Sequence, residues 1–322
     1  MSKNGMPFSP EYADRILQKI EGLTVLQNVA MSEVTRFRVG GLADVLVRPN
    51  NSESLTTLVQ LARKENWPLT ILGCCSNILV ADAGIRGMTC VLSPGMTNIR
   101  RDGQMLTAFA GTRLDDLASY AAKCGLSGLE FACGIPGSVG GAVVMNAGAF
   151  GGSMEQVVFR TMYINSSGQT NVLEHEDHRF GYRQSFFSDD KDAVITEVSM
   201  KLKSHDRRVI YEQMAEHALS RYQKQPLTEL SAGSAFRRPE GNYAGALISE
   251  VGMKGYKRGR AGVSDRHAGF IVNYGGASAS EIVQVFLDVR NAVFQKTGVR
   301  LIPEVHFIGA WEDDDVRSLL DY

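Results

Sequence analysis

The stretch from Gly128 to Gly152 constrains this chain more than any other. It runs Gly-Leu-Glu-Phe-Ala-Cys-Gly-Ile-Pro-Gly-Ser-Val-Gly-Gly, then Ala142, Val143 and Val144, then Met-Asn-Ala-Gly-Ala-Phe-Gly-Gly. Eight glycines and Pro136 stand in it beside a single charge, Glu130. Each glycine costs a helix about 1 kcal/mol relative to alanine, so no ordinary helix or strand is expected there. What such a run does well is bend and bring backbone N–H groups close to a phosphate, because no Cβ intervenes. The spacing is not Gly-x-Gly-x-x-Gly, and no lysine follows at the P-loop position. It predicts a pyrophosphate cradle of another kind.

At 322 residues two domains are expected. Hydrophobic residues at 44% and charged residues at 21% describe a globular chain with ample core. Basic and acidic residues number 34 and 35, which leaves no electrostatic footprint for nucleic acid or an acidic membrane surface. No apolar run approaches the roughly 20 residues of a membrane-spanning helix. The start, Met1-Ser2-Lys3-Asn4-Gly5 leading into Pro7, lacks the apolar core of a secretory leader, so a cytoplasmic protein is expected. Five cysteines without a Cys-x-x-Cys pair fit free thiols in a reducing compartment. His175-Glu176-Asp177-His178 has no further ligand nearby, and reads as a polar loop without a metal.

Periodicity places helices over Ser9–Gly22, Ser52–Lys64 with Ser52 as cap, Arg113–Lys123, Val209–Lys224, and from a Ser278 or Ser280 cap to Lys296. Strands are expected at Ala43–Val47, Leu69–Leu72, Ile78–Val80, Leu106–Ala110, Val157–Ile164, Ala193–Leu202, Ile271–Asn273 and Glu304–Ile308. This is an α+β pattern, not a clean βαβ repeat. Lys203-Ser204-His205-Asp206-Arg207-Arg208 is a hydrophilic break, taken as the domain boundary. The end from Trp311, with Glu312-Asp313-Asp314-Asp315, reads as a solvated acidic tail.

The glycine-rich run resembles the flavin-binding segment of the UDP-N-acetylenolpyruvoylglucosamine reductase family. The likeness extends from about Val25 to Gly309. It takes in Thr35-Arg36-Phe37-Arg38-Val39-Gly40-Gly41, Phe180-Gly181-Tyr182-Arg183, Gly233-Ser234-Ala235-Phe236 and Pro303-Glu304-Val305. The resemblance implies a two-part FAD-binding domain of the vanillyl-alcohol oxidase and p-cresol methylhydroxylase type, followed by an α+β substrate domain. The divisions then fall at 1–24 (an N-terminal helical segment), 25–204 (FAD), 205–310 (substrate) and 311–322 (the acidic tail). The short span from Arg183 to Ser234 resembles the shorter of the family's two forms.

In that family two loops hold the FAD diphosphate. Here they correspond to Gly73, Cys74, Cys75, Ser76 and Asn77, and to Gly134, Pro136, Gly137, Ser138, Gly140 and Gly141, with Asn146 and Gly148 beyond. Ser76 and Asn77 offer side-chain donors, and Gly137, Gly140 and Gly141 are expected to offer unobstructed N–H groups. Where the family usually carries three glycines, this chain has Gly73-Cys74-Cys75; a cysteine at positive φ costs about 1 kcal/mol or more. The family binds FAD without a covalent bond, while relatives of the fold that tether flavin leave Cys75 as an alternative attachment point.

The resemblance assigns catalysis to Arg183, Ser234 and Glu304. Hydride reaches C3 of the enolpyruvyl group, Arg183 and Glu304 hold the charge that develops at C2 and the carboxylate, and Ser234 donates a proton to C2. A guanidinium can hold a carboxylate by two parallel bonds, and a hydroxyl is a competent acid toward a strongly basic carbon. Tyr182, Arg237 and His267 are expected at the substrate, with NADPH as hydride donor, a UDP-linked amino sugar as partner, and no protein partner implied. Two other readings stay open at this level. One is a different FAD-dependent oxidoreductase of the fold, acting on a hydroxy acid or alcohol; the other is a non-catalytic flavin- or nucleotide-binding protein.

Overall fold

The computed structural model describes residues 8–92, 99–311 and 314–320. The N-terminal stretch read above for a leader, and Glu312 and Asp313 of the acidic tail, lie outside the described residues. The chain forms two compact units. One comprises Met1–Gln27, Val45–Cys74 and Gly87–Ser220, the other Asn28–Asp44, Cys75–Arg86 and Arg221–Tyr322. The hydrophilic break at Lys203–Arg208 is not where the chain changes unit. Lys203–Ser204 pairs antiparallel with Leu126–Ser127, and the last change of unit comes at Ser220 and Arg221.

The first unit is built on a five-stranded antiparallel sheet. Its order is Thr170–Glu174, Val158–Ile164, Val194–Lys201, Met105–Phe109, Ile99–Asp102. Helix α1 (Pro10–Leu17) starts on a Ser9 cap. Helix α2 (Ser52–Glu65) buries Leu55, Leu58, Val59 and Ala62 at helical spacing, and Leu69–Leu72 then runs parallel to 88–91. Its cap is Asn51, one residue before the expected Ser52: the Asn51 side chain accepts from Ser54 N–H at 2.7 Å while the Ser54 hydroxyl answers Asn51 N–H. Helix α3 (Leu114–Lys123) turns Leu114, Leu117, Ala118, Ala121 and Ala122 inward. These faces and the sheet enclose one core around Phe109, Leu58, Leu106 and Leu117.

Two expectations for this unit need correction. The glycine-rich run does contain a helix, α4 (Val139–Val144), capped by Ser138. Its propensity cost is overridden by packing, because Val139, Ala142 and Val143 are buried and Gly140 lies so close to Ala110 that an added Cβ would stand 2.9 Å from the Ala110 Cβ. The segment His175–His178, read as a polar loop, is a 3₁₀ turn with a fully buried His178. The His178 ring stacks on Phe180 and hydrogen-bonds Thr161 Oγ1 at 2.7 Å and the Glu174 carbonyl at 2.8 Å. A short helix α5 (Phe186–Asp189) and the long α6 (Arg207–Lys224) follow.

The second unit has its own core around Phe37, Phe236, Phe286 and Val263. A three-stranded antiparallel sheet, Lys257–Arg258, Ala261–Val263 and Ile271–Asn273, lies with helices α7 (Ala244–Glu250) and α8 (Ala279–Thr297). Ser278 and Glu281 form a capping box for α8, and the Asp82 carboxylate accepts from Ala279 N–H at 2.7 Å and Ser280 N–H at 3.0 Å. His306–Ile308 runs parallel to Ile78–Val80. The acidic end is not merely solvated: α9 (Asp314–Leu320) buries Val316 and Leu319 in this core, and Arg290 of α8 donates to the Ser318 carbonyl at 2.6 Å. The acidic run hid an apolar pair at i and i+3, which is a helical face.

Candidate functional site

In the first unit, Gly73 and the loop from Gly134 to Gly141 meet at Ser138. A Cβ on Gly73 would lie 2.3 Å from Ser138 Oγ, so only glycine allows this approach. Around it the N–H groups are mostly engaged within the chain, contrary to the expectation of unobstructed donors. Gly140 N–H donates to Ala110 O at 2.8 Å, Gly141 N–H to Ser138 Oγ at 3.2 Å, and Gly137 N–H to Ile135 O at 3.0 Å. Gly134 N–H donates to Asp115 Oδ1 at 2.8 Å. The glycines act instead by leaving room. Nothing lies within 4 Å of a Cβ placed on Gly137, and only Ser138 Oγ, at 3.1 Å, near one on exposed Gly141. Such a surface suits a bulky phosphate ester, and the fit to a flavin dinucleotide rests on it. Asp115, read from sequence only as part of α3, secures the loop; an acid in a helix's first turn was the available signal.

Asn146 has a different task from the expected one. Its side chain is 7% exposed, and its amide donates to Gly181 O at 3.0 Å while its Oδ1 accepts from Glu155 N–H at 3.0 Å. It therefore anchors the turn Gly181-Tyr182-Arg183-Gln184, closed by Gly181 N–H to Gln184 O at 3.0 Å and the reverse bond at 3.3 Å. Arg183 occupies the third position of that turn with φ 57°. Its guanidinium lies 5.4 Å from the Tyr182 ring centroid and 3.5 Å from Gly148 O, and Tyr182 is 57% exposed. Gly148 itself approaches Gly152 O to 2.8 Å from a would-be Cβ.

The other half of the Gly73–Asn77 segment belongs to the second unit. Cys75 is buried with φ 51°, so the strained position anticipated from the sequence is occupied by a cysteine. Its carbonyl accepts from Arg36 N–H at 3.2 Å, and the Thr35–Val39 turn behind it is closed by Thr35 Oγ1 donating to Val39 O at 2.8 Å. Asn273 pins the same turn through Phe37 O at 2.9 Å. Burial pushes the Cys74 thiol above its usual range, with Arg113 pulling the other way.

Ser234 and Glu304 come together through the backbone. The segment Ser234–Arg237 lies between two neighbours. Ala235 N–H donates to Gly269 O, Glu304 N–H donates to Ala235 O, and Arg237 N–H donates to Ile302 O, each at 2.8 Å. Gly233 turns with φ 81°, which leaves Ser234 exposed at the edge of this arrangement. Asn77 Nδ2 donates to Glu304 O at 3.2 Å, joining the predicted cofactor loop to the predicted catalytic strand. His267 sits beside Ser234's neighbour Phe270, its ring centroid 5.0 Å away. His267 Nδ1 accepts from Gly269 N–H at 3.0 Å, which leaves Nε2 to carry the proton of the neutral ring. Burial, helped by Lys254, lowers its pKa and favours that neutral form.

Residues 43–173 match the model of a family described as FAD binding domain. Residues 225–308 match the C-terminal domain of UDP-N-acetylenolpyruvoylglucosamine reductase. The reductase of that name from Pediococcus pentosaceus is 42% identical over 88% of this chain and 94% of its own length. The one from Clostridium botulinum is 40% identical over 94% of this chain and 96% of its own. The crystal structure of the Thermus caldophilus reductase superposes with a TM-score of 0.75 at 34% identity, covering 88% of this chain and 99% of that one.

Proposed function

The chain belongs to the UDP-N-acetylenolpyruvoylglucosamine reductase family, and from that premise we propose that it reduces UDP-N-acetylenolpyruvoylglucosamine to UDP-N-acetylmuramate with NADPH, in peptidoglycan precursor synthesis. The observation that most supports this reading is the backbone register that puts Ser234 and Glu304, far apart in sequence, on adjoining segments with Asn77 bonded to the second. Held without a covalent link, FAD would supply the two-electron chemistry that couples NADPH to the nucleotide sugar. Gly73 and the loop from Gly134 to Gly141 would hold its diphosphate by close backbone approach.

The chain's own residues divide the remaining work. Arg183 presents a planar fork suited to the enolpyruvyl carboxylate, and the family resemblance gives Glu304 the charge that grows as the double bond is reduced. Ser234 donates the proton to C2. Tyr182 is exposed enough to meet the sugar nucleotide, Arg237 offers a cation to its diphosphate, and neutral His267 offers its Nε2 proton as a hydrogen-bond donor. We place the reaction in the cytoplasm, as the chain's free cysteines suggest. Among the described residues no helix is long and apolar enough to cross a membrane.

Ser234→Ala tests the assignment. The proton is needed only when the nucleotide sugar is reduced, so bleaching of the bound flavin by NADPH should keep its rate. Reoxidation by UDP-N-acetylenolpyruvoylglucosamine should slow by roughly 10²–10⁴-fold, the span of a lost general acid. Anaerobic stopped-flow absorbance separates the two steps. Equal slowing of both would make Ser234 a support of the cofactor, and a colourless protein that takes up no FAD would remove the whole reading.

A further inference from the structure

The geometry points to Arg113 as the side chain that supplies positive charge to the diphosphate of the flavin dinucleotide, an inference resting on the FAD-binding reading above. The two loops assigned to that group carry no charge of their own. Neither Gly73–Asn77 nor Gly134–Gly141 contains Lys, Arg or His. Four of their N–H donors are spent on Ile135 O, Ala110 O, Ser138 Oγ and Asp115 Oδ1. A diphosphate diester bears two negative charges, and taking it out of water against neutral loops with committed donors calls for a cation.

Arg113 stands where that cation is needed. It pairs with Ser138 in an isolated antiparallel bridge. Leu114 N–H donates to Gly137 O and Val139 N–H donates to Thr112 O, both at 2.8 Å. These bonds flank Arg113 and Ser138 rather than joining them. That makes theirs the closer class of antiparallel pair, with Cα atoms about 4.5 Å apart and side chains leaving on one face. Ser138 Oγ in turn abuts Gly73. Arg113, Gly73 and the glycine loop thus share Ser138 as a common neighbour, and the positive charge of Arg113 acts on the Cys74 thiol next in the chain.

Among the described residues, the guanidinium's ion pair is a loose one. Its ion pair with Asp116 is long, Nε to Oδ2 3.9 Å, between side chains 52% and 42% exposed, which makes it weak and easily screened. The other acid of this turn, Asp115, accepts from Gly134 N–H. Arg113 sits at the cap position of α3 but makes no side-chain cap bond, so removing its charge leaves the helix start intact.

The test is FAD titration into the flavin-stripped full-length protein, followed by flavin fluorescence from about 0.02 M to about 0.5 M salt, where screening of an exposed charge becomes strong. At low salt Arg113→Gln should raise the Kd for FAD on the order of tenfold to a hundredfold, the range for a lost charge-assisted contact. Arg113→Lys should retain most of the affinity, and Arg113→Glu should bind more weakly than Arg113→Gln. At high salt the Kd values should converge. Thermal midpoints of the stripped proteins should agree, showing intact folds. Gln and Glu variants that bind FAD like the wild type would overturn the inference, as would equal losses that persist at high salt, since those report loop shape rather than charge. A wild-type protein that binds no FAD would instead defeat the functional reading on which the inference rests.

Discussion

Replacing Asn146 with alanine tests the link between the glycine-rich run and the arginine proposed for catalysis. The amide makes two bonds at 3.0 Å, to Gly181 O and from Glu155 N–H, and a longer one at 3.4 Å to the Glu155 carboxylate, from a site 7% exposed. Alanine leaves the Gly181 carbonyl and the Glu155 N–H without those partners, about 1–2 kcal/mol each where water has partial access. It also places a Cβ without a compensating polar group at φ 39°, about 1 kcal/mol more. The expected loss is therefore about 3–5 kcal/mol, a large part of the ~5–15 kcal/mol that holds a typical domain together. Urea unfolding of the flavin-stripped protein measures it. Because Gly181 opens the turn that carries Arg183, turnover of the still-folded variant should also fall, by roughly 10–100-fold for a displacement on the order of 1 Å. The Asn146→Ala/Arg183→Lys double variant should then lose less than the sum of the two single losses. A stability loss under about 1 kcal/mol together with turnover within about twofold of wild type would refute the argument. Fully additive kinetic losses would detach Asn146 from Arg183.

Two further outcomes follow from the same structure. Arg183→Lys keeps the charge but loses the planar fork, so kcat should fall more than KM rises; a rise in KM alone would make Arg183 a binding residue. Burial holds the His178 ring below its usual pKa despite its bonds to backbone carbonyls, so the unfolded chain takes up its proton first as pH drops. The stabilisation is thus complete above about pH 6.5 and is lost as pH falls through that value toward the lowered one, and His267 acts in the same sense. Guanidinium midpoints should decrease from about pH 7 to about pH 5, with a flatter profile in His178→Gln; a profile unchanged by that substitution would show that another group sets it.

Much of the local structure was legible because it depends on neighbours in sequence. The 3.6 spacing of Leu114, Leu117 and Ala121 and a Ser278 or Ser280 cap marked α3 and α8, and the structure settles the cap on Ser278. The candidate site was named on a different ground, a resemblance, and the roles of its residues stand as proposals. Its motifs, from Thr35–Gly41 to Pro303–Val305, are short and retain a resemblance wherever the fold places them. Periodicity failed where tertiary packing outweighed propensity, as in α4, and where an acidic stretch concealed Val316 and Leu319 of α9.

What the sequence determined by itself was therefore the set of residues and the chemistry each can perform: a guanidinium at 183, a hydroxyl at 234, a carboxylate at 304 and a glycine-rich backbone between 134 and 141. The tertiary structure alone decided what each of them faces. It spent the N–H groups of Gly137, Gly140 and Gly141 on the chain itself, turned Asn146 from a supposed ligand into the anchor of Gly181, and bonded Asn77 to the Glu304 carbonyl. It also set Arg113 beside Ser138, across an isolated bridge. The physical reason is that a donor's partner is fixed by hydrogen-bond distances of about 3 Å between segments remote along the chain. Residue type and local spacing carry no record of those distances until the backbone has been folded.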